Sequence, residues 1–380
     1  MKLELLSENL ASALTALSRI IVTKPQVPIL ANILLAAHDG KLTLTASNLE
    51  TSLIVTIGAK VETAGDFTVP GRTFAEIVSS LSAEKILLEV VDGSLKIKGG
   101  GAVARINGLA ATEFPQISAD SALKQGFVWN LNHLDLLSTL NLTCFSAAAD
   151  EGRAALTGVL FKPIGKGLTL VATDGFRLSV ATQDMASVSP KDGPNSVIVP
   201  ARSLAELTRH LAETKPSKEA PDFKMCFSKT ENQVFFDLGA TQIISSLIAG
   251  NFPDYEKIIP ATSNLKIITT AEELSKAVRL ASIFARDSAN IVKLKTEKGK
   301  LKIAANAAQV GENESAVDAE ITGDQDDFAI AFNYRYLLDF LGVVSGEVAL
   351  EFSGPIAPGV FKSVKNSHFL HLIMPVRVQA

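Results

Sequence analysis

The chain has 380 residues, of which 47% are hydrophobic and 20% are charged, a balance that excludes an intrinsically disordered or fibrous protein. Its 36 Lys and Arg against 40 Asp and Glu give a formal net charge of −4, so the whole chain lacks the basic excess typical of nucleic-acid binding. The two cysteines predict no disulfide framework, the apolar runs are too short for a membrane span, and Glu4 and Glu8 do not fit a signal peptide, so we expect a cytoplasmic protein without membrane contact.

The first predicted element is an amphipathic helix, and its pattern returns twice further along the chain. Each copy places a polar residue ahead of apolar residues spaced by three and four positions, which indicates a capped helix with one buried face. The predicted caps are Ser7, Asn130 and Thr270.

The second predicted element is a β-hairpin, which also occurs three times. Runs that alternate apolar and polar residues flank a glycine, and this pattern is typical of two short strands joined by a tight turn. The matching leucines of the three copies lie roughly 130 residues apart, at Leu42, Leu168 and Leu301. The hairpins cover Ile33–Ser47, Val159–Thr173 and Val292–Asn306.

The third predicted element is a strand that breaks directly into a helix, at Thr68–Leu81, Ile198–Leu211 and Ile330–Leu341. Because all three elements recur in the same order, the sequence predicts three tandem, structurally similar domains rather than short solenoid repeats. Each domain has two helices against antiparallel sheets, so the expected fold class is α+β. The expected domain bounds are 1–120, 121–261 and 262–380.

The residue types that carry catalytic chemistry are scattered along the chain. His368 and His371 lie three apart in an alternating segment, which puts their rings on opposite sheet faces and favours ordinary surface or interface histidines over a metal site. Cys144 and Cys226 lie among apolar neighbours and are predicted to be core thiols. The glycines at 99–101 predict a hairpin loop, and the acidic run at 324–327 predicts a solvated loop. We expect no catalytic centre, no metal ion and no other cofactor.

The charges on the predicted helices favour contact with DNA that is not sequence-specific. Acidic residues lie in first turns, where the helix dipole stabilises them, and basic residues follow later or at the helix edges. Helices of all three domains that faced one way would present a mildly positive surface to duplex phosphates. The alternative functional classes are an enzyme built of β-rich modules and a peptide-binding adaptor without a ring.

Six stretches of the chain together form a specific set of motifs. They are Lys24–Glu50, Phe114–Ile117, Leu168–Ala181, Ser196–Leu207, Asn251–Pro260 and Met374–Val378. This set resembles the family of bacterial DNA polymerase III β subunits, the sliding clamps, over essentially the full length of the chain. The resemblance implies a non-catalytic processivity factor of the DNA polymerase III holoenzyme. It also implies a head-to-tail homodimer closed into a ring around duplex DNA, with helices lining the hole.

The resemblance further implies a groove between the second and third domains. In the family it binds short Gln- and Leu/Phe-containing peptides of the replicative polymerase, the clamp loader, and repair and translesion polymerases. Phe176 and Val376 replace residues that are more common in the family, and Gln379–Ala380 extend past its usual end. Two arginines, Arg177 and Arg377, are expected at the groove rim, where they would orient peptide carbonyls or acids. The groove positions are Leu156, Thr173, Gly175, Phe176, Arg177, Leu178, Pro253, Ile258, Leu372, Met374, Pro375, Val376 and Arg377.

The resemblance also implies a set of DNA contacts and a subunit interface. The implied DNA contacts are Lys24, Arg72, Arg153, Arg202 and Arg209. The interface would pair the edge around Val103–Ile106 with the helix around Ile283–Arg286. The implied interface residues are Ala104, Ile106, Ile283 and Phe284.

Overall fold

A computed structural model describes residues 1–117, 127–165, 167–184, 194–213, 223–228, 232–297, 299–323 and 328–377. Three predicted features lie outside the described residues: the acidic run at 324–327, the boundary at 120/121, and Gln379–Ala380. No helix in the described part of the chain is long and apolar enough to cross a membrane.

The described residues contain six α-helices, two in each predicted domain. They are α1 Ser7–Leu17, α2 Gly71–Ser80, α3 His133–Thr143, α4 Ala201–Glu213, α5 Ala271–Ala285 and α6 Tyr334–Leu341. Short 3₁₀ turns lie at Pro28–Ala31, Ala111–Glu113, Cys144–Ser146, Glu151–Thr157 and Tyr255–Ile258.

The strands are all short, and they pair with one another in antiparallel fashion throughout the described residues. They are β1 Lys2–Leu6, β2 Asn32–His38, β3 Lys41–Ser47, β4 Thr51–Gly58, β5 Lys60–Thr63, β6 Gly65–Pro70, β7 Lys85–Val91, β8 Ser94–Gly99, β9 Ala102–Asn107, β10 Phe127–Leu131, β11 Gly158–Ile164, β12 Gly167–Thr173, β13 Arg177–Asp184, β14 Val197–Pro200, β15 Phe223–Phe227, β16 Gln233–Asp237, β17 Thr241–Ser246, β18 Leu265–Thr270, β19 Ile291–Glu297, β20 Lys300–Ala307, β21 Gly311–Asp318, β22 Glu320–Gly323, β23 Ala329–Asn333, β24 Glu347–Phe352, β25 Gly359–Ser363 and β26 Phe369–Ile373.

The predicted repeats are confirmed as α+β units of the same element order. The three hairpins are β2–β3, β11–β12 and β19–β20, and their matching leucines are all buried. Of the three predicted helix caps, only Thr270 is confirmed. Thr270 accepts the N–H of Glu273 at 3.4 Å, but α1 begins at Ser7 itself, and α3 is capped by Asn132 because β10 extends through Asn130 to Leu131.

The described residues group into two compact units. The first comprises residues 1–131 and 221–247, with a five-stranded sheet in the order β5-β1-β7-β8-β9. Its second sheet has eight strands in the order β10-β15-β16-β17-β4-β3-β2-β6. This sheet joins strands from both sides of the predicted bound at 120/121, through pairing of β4 with β17. We call this pairing the first seam.

The second unit comprises residues 132–220 and 248–380. Its nine-stranded sheet has the order β14-β11-β12-β13-β26-β25-β24-β18-β22, and a smaller sheet has the order β21-β20-β19-β23. The nine-stranded sheet crosses the predicted bound at 261/262 through pairing of β13 with β26, which we call the second seam. Because sheets cross both predicted bounds, the bounds themselves stay predictions from the sequence repeat.

Candidate functional site

The second seam supplies the floor of the candidate site. Leu178 of β13 lies opposite Leu372 of β26, and both side chains are buried. They pack in one apolar cluster with Leu160, Val171, Ile198 and Tyr255. Leu156, at the end of the 3₁₀ turn Glu151–Thr157, is also buried. Leu178 and Leu372 therefore form an apolar base, and the third predicted leucine, Leu156, is buried as well.

A tight turn between β12 and β13 forms one wall. Oδ1 of Asp174 accepts the N–H groups of Phe176 and Arg177 at 2.8 and 2.9 Å, and Oγ1 of Thr173 accepts the N–H of Gly175 at 3.0 Å. Gly175 has φ +90°, a conformation that few other residues adopt without strain. The turn leaves the Phe176 ring 59% exposed, although a large apolar side chain is normally buried.

The segment after β26 forms a second wall beside this turn. The N–H of Met374 donates to the carbonyl oxygen of Phe176 at 2.8 Å, and the N–H of Val376 donates to Ala331 at 2.8 Å. Met374 is 40% exposed, Pro375 and Val376 are half-buried, and Arg377 is exposed. The backbone of this segment is therefore fixed, while its apolar side chains remain available to a ligand.

The last two predicted groove residues lie in the segment before β18. Pro253 and Ile258 are exposed, and Tyr255 between them is buried in the apolar cluster below. Burial raises the pKa of the Tyr255 phenol, while the ammonium of Lys162, 5.8 Å from the ring centroid, opposes this. Tyr255 thus anchors a segment that exposes the apolar side chains of Pro253 and Ile258 beside the charged Asp254, Glu256 and Lys257.

Arg177 departs from its expected position at the rim. Its side chain is only 10% exposed, and all three guanidinium nitrogens are engaged within the chain. Nε donates to Asp174 at 3.1 Å, Nη1 donates to Asp339, and Nη2 donates to the carbonyl oxygen of Phe145 at 2.6 Å. The side chain of Arg177 is therefore turned inward rather than free at the rim, and a direct contact with a peptide stays a prediction. Arg377 does lie exposed, as expected.

A cavity of about 900 Å³ adjoins the segment after β26, and part of its lining was not predicted from the sequence. Ile356 is 72% exposed, and Pro355 precedes it in a turn before β25. In the sequence, the local feature that could have indicated this lining is an isoleucine next to a proline in a turn. The remaining lining residues are Lys293, Ala329, Ile330, Ala331, Met374, Pro375, Val376 and Arg377.

The predicted DNA contacts differ in whether their side chains form ion pairs or hydrogen bonds within the chain. Lys24 and Arg72, in the first unit, are exposed and form no ion pair with a residue in the described ranges. In the second unit, Arg153 donates to the carbonyl oxygen of Asp174 at 2.7 Å, so it supports the groove turn. The other two pair with acids, Arg202 with Glu151 and Arg209 with Glu206.

The predicted interface residues lie on exposed elements, with one exception. Ile283 is 46% exposed, while Ala104 and Phe284 are partly exposed. Ile106 is 6% exposed, because its side chain points into its own unit, so its part in the interface stays a prediction. Val103 on the same strand is 61% exposed instead.

Two titratable side chains of the second unit have strongly shifted pKa values because they are buried. His371 is fully buried, which corrects the expectation of a surface or interface histidine, and its Nδ1 lies 2.9 Å from Oγ of Ser179. Burial and the nearby charge of Arg177 lower the pKa of His371 to about 3. Burial raises the pKa of the Cys144 thiol to about 12. Within the described ranges, no three His, Cys, Asp or Glu residues group as metal ligands.

Comparison with known protein families matches almost the whole chain. The family models described as the N-terminal, central and C-terminal domains of the DNA polymerase III beta subunit match residues 1–118, 130–254 and 256–377. The order of the three matches follows the three repeats of the fold.

Individual relatives agree with this assignment. The chain is 30% identical to the beta sliding clamp of Synechococcus elongatus, over 100% of both chains. It is also 30% identical to that of Bacillus subtilis, over 99% of this chain and 100% of the relative. A sliding clamp structure from Bartonella birtlesii superposes with a TM-score of 0.90 at 30% identity, and a beta subunit structure from Thermotoga maritima with 0.89 at 26%, each covering 100% of both chains.

Proposed function

The chain belongs to the family of DNA polymerase III β subunits, the sliding clamps, and from this premise we propose that two copies close into a ring around duplex DNA. The family is a processivity factor without catalytic activity. The ring would tether the replicative polymerase, the clamp loader, and repair and translesion polymerases to DNA in the bacterial cytoplasm. The observation that carries the proposal is a pair of open strand edges, β9 and β21.

The two seams within the chain define which edges remain open. The fourth strand of each repeat's hairpin sheet is β4, β13 or β21, and the last strand of the other sheet is β9, β17 or β26. β4 pairs with β17 and β13 pairs with β26, so β21 and β9 are the two equivalent strands without such a seam in the described residues. Pairing β21 of one copy with β9 of another would repeat the same seam head to tail and give a nine-stranded sheet.

The internal seams also predict the register of this third seam. Leu178 faces Leu372 at the second seam, and Ser52 faces Ile244 at the first. Leu178 pairs with Thr173 and Ser52 pairs with Ser47, and Thr173 and Ser47 each lie five residues after the matching leucine of their repeat. In the third repeat the residue five positions after Leu301 is Asn306, and it pairs with Glu312. In the first repeat, following the paired residues from β1 across β7 and β8 to β9 leads to Arg105. Arg105 therefore occupies the position that Leu372 and Ile244 occupy in the other two repeats. We therefore expect Glu312 to face Arg105 of the second copy.

The charges around the two open edges support this pairing. Lys96 lies opposite Arg105 on β8, and the ammonium of nearby Lys98 lowers the pKa of Lys96. The edge at β21 instead carries exposed Glu312, Glu314 and Asp318, of which Glu314 pairs with Lys302 and Asp318 with Lys300 on β20. A basic edge that meets an acidic edge favours the head-to-tail pairing and disfavours pairing of either edge with itself.

The groove of the second unit is proposed to bind partner peptides. Phe176, Met374, Pro253 and Ile258 offer apolar surface above the leucine floor, and a methionine lets one surface adapt to several partners. Exposed Lys24 and Arg72 are proposed DNA contacts, along with the ion-paired Arg202 and Arg209. A ring held on DNA by its closure needs only a few weak, salt-dependent phosphate contacts and is free to slide.

The test of the groove is a fluorescence-anisotropy titration with a short labelled peptide that contains Gln, Leu and Phe. Wild-type protein should bind it with roughly micromolar affinity, about −8 kcal/mol. Met374→Ala should abolish the binding, and the matched control Val364→Ala, which shortens an exposed apolar residue outside the groove, should not. Equal affinity in all three proteins would overturn the groove assignment.

The test of the ring is retention on DNA together with the molecular mass in solution. A dimer loaded on a nicked circular plasmid should remain bound through gel filtration and should leave when the plasmid is linearised. A monomer in solution, or equal dissociation from circular and linear DNA, would contradict the ring and favour the adaptor alternative.

A further inference from the structure

Arg177 lies at the centre of a cluster that links three elements of the second unit. Its guanidinium joins Asp174 in the groove turn, Asp339 on α6 and the carbonyl oxygen of Phe145 after α3. The guanidinium carbon lies 4.7 Å from the Tyr336 ring centroid and 5.5 Å from that of Phe145. We call these five residues the arginine clasp.

The first seam shows that the turn itself does not need the clasp. There Oδ1 of Asn48 accepts the N–H groups of Glu50 and Thr51 at 3.0 and 2.7 Å, as Asp174 does for Phe176 and Arg177. Thr51 occupies the position of Arg177, so the same turn forms without an arginine. The clasp is therefore an addition found at the seam that carries the groove.

We propose that the clasp sets the position of the groove wall, with Arg177 and Asp339 as positioning residues. Oδ1 of Asp174 accepts a hydrogen bond from the N–H of Phe176, and the carbonyl oxygen of Phe176 accepts one from the N–H of Met374. A fixed Asp174 thus holds the backbone from which both exposed apolar side chains project. Through Asp339 the wall is tied to α6 of the third repeat, so the groove depends on a residue outside it. This inference rests on the proposed peptide-binding function.

The two possible roles of Arg177 predict opposite effects of a change at Asp339. If Arg177 bound the peptide directly, Asp339→Asn would release its guanidinium and leave affinity unchanged or raise it. If the clasp positions the wall, Asp339→Asn weakens a charged hydrogen bond in it and affinity falls. Asp339 is 44% exposed at its side chain, so the substitution leaves the core intact.

The experiment is the same peptide titration with variants of the clasp. Asp339→Asn and Arg177→Thr, the latter copying Thr51, should bind about tenfold more weakly than wild type, with circular dichroism and dimer mass unchanged. The double variant should bind the peptide no more weakly than Arg177→Thr alone, because Asp339 acts through its hydrogen bond with Arg177, which Arg177→Thr already removes. Asp339→Glu, which keeps the carboxylate, should retain most of the affinity. Arg335→Ala, which removes an exposed charge of α6 outside the clasp, should behave as wild type.

The outcomes separate the clasp from the groove. Wild-type affinity in Asp339→Asn, with no binding by Met374→Ala, would overturn the clasp and leave the groove standing. Additive reductions of affinity in the double variant would also overturn it. Absence of peptide binding in wild type would contradict the proposed function itself.

Discussion

The N–H of Met374 donates to the carbonyl oxygen of Phe176 at 2.8 Å, and at the first seam the N–H of Ser246 donates to Glu50 at 2.8 Å. The backbone geometry is the same at both seams, since each follows from an Asx turn and antiparallel pairing. The side chains differ: an exposed aromatic ring and a methionine at one seam, a carboxylate and a hydroxyl at the other. Only the second seam offers apolar surface at these positions.

This difference predicts the outcome of a side-chain exchange. Phe176→Glu combined with Met374→Ser gives the second seam the side chains of the first, and peptide affinity should fall below detection in the anisotropy titration. Both side chains are substantially exposed, so the midpoint of thermal unfolding should change by only a few degrees. Ser246→Ala at the first seam is the matched control and should bind as wild type. Retained affinity in the exchanged variant would show that the peptide uses other residues.

The register of the proposed third seam predicts a charge reversal at the dimer interface. Glu312→Arg should raise the dimer dissociation constant at least tenfold in sedimentation equilibrium, because it would face Arg105 of the second copy. Arg105→Glu should do the same, and the two changes together should restore the dimer. Glu320→Arg, on exposed β22, is the control. Failure of the double variant to recover would exclude this register.

The exposed charges of Lys24 and Arg72 predict the salt dependence of DNA binding. Lys24→Ala with Arg72→Ala should lower the slope of log K against log salt by about 0.9 for each phosphate that is no longer neutralised. The measurement is retention on nicked circular DNA over a salt series. Lys41→Ala, on the exposed end of β3, should leave the slope unchanged. An unaltered slope in the double variant would remove both residues from the proposed DNA-binding surface.

His371 predicts a decrease of stability in acid. The unfolded chain binds a proton at this histidine below a pKa of about 6.5, whereas the folded protein resists until about pH 3. Its contribution to the free energy of unfolding is therefore undiminished above pH 6.5 and falls by about 1.4 kcal/mol per pH unit as the pH drops from there toward 3. In urea unfolding at several pH values, His371→Gln should show a shallower decline. His368→Gln, at an exposed site, should decline like wild type, and an equal slope in His371→Gln would contradict the assignment.

The sequence by itself determined the repeated elements of this protein. Hairpins and strand-to-helix breaks depend on local periodicity, glycine and proline, so all three copies were predicted close to their observed bounds. The motifs also gave the family and brought Leu178, Phe176 and Met374 to one candidate site. A cap was misplaced where two asparagines, Asn130 and Asn132, stand two residues apart, because strand pairing with β15 decides where β10 ends.

Only the tertiary structure decided which way key side chains point and which strand edges stay open. Arg177 meets Asp339, 162 residues away, and His371 meets Ser179 across the second seam, 192 residues away. No local sequence pattern predicts contacts between residues so far apart in the chain, because pairing with the partner strand determines the face on which each side chain lies. The open edges at β9 and β21 have the same origin, since an edge is defined by the pairing of every other strand.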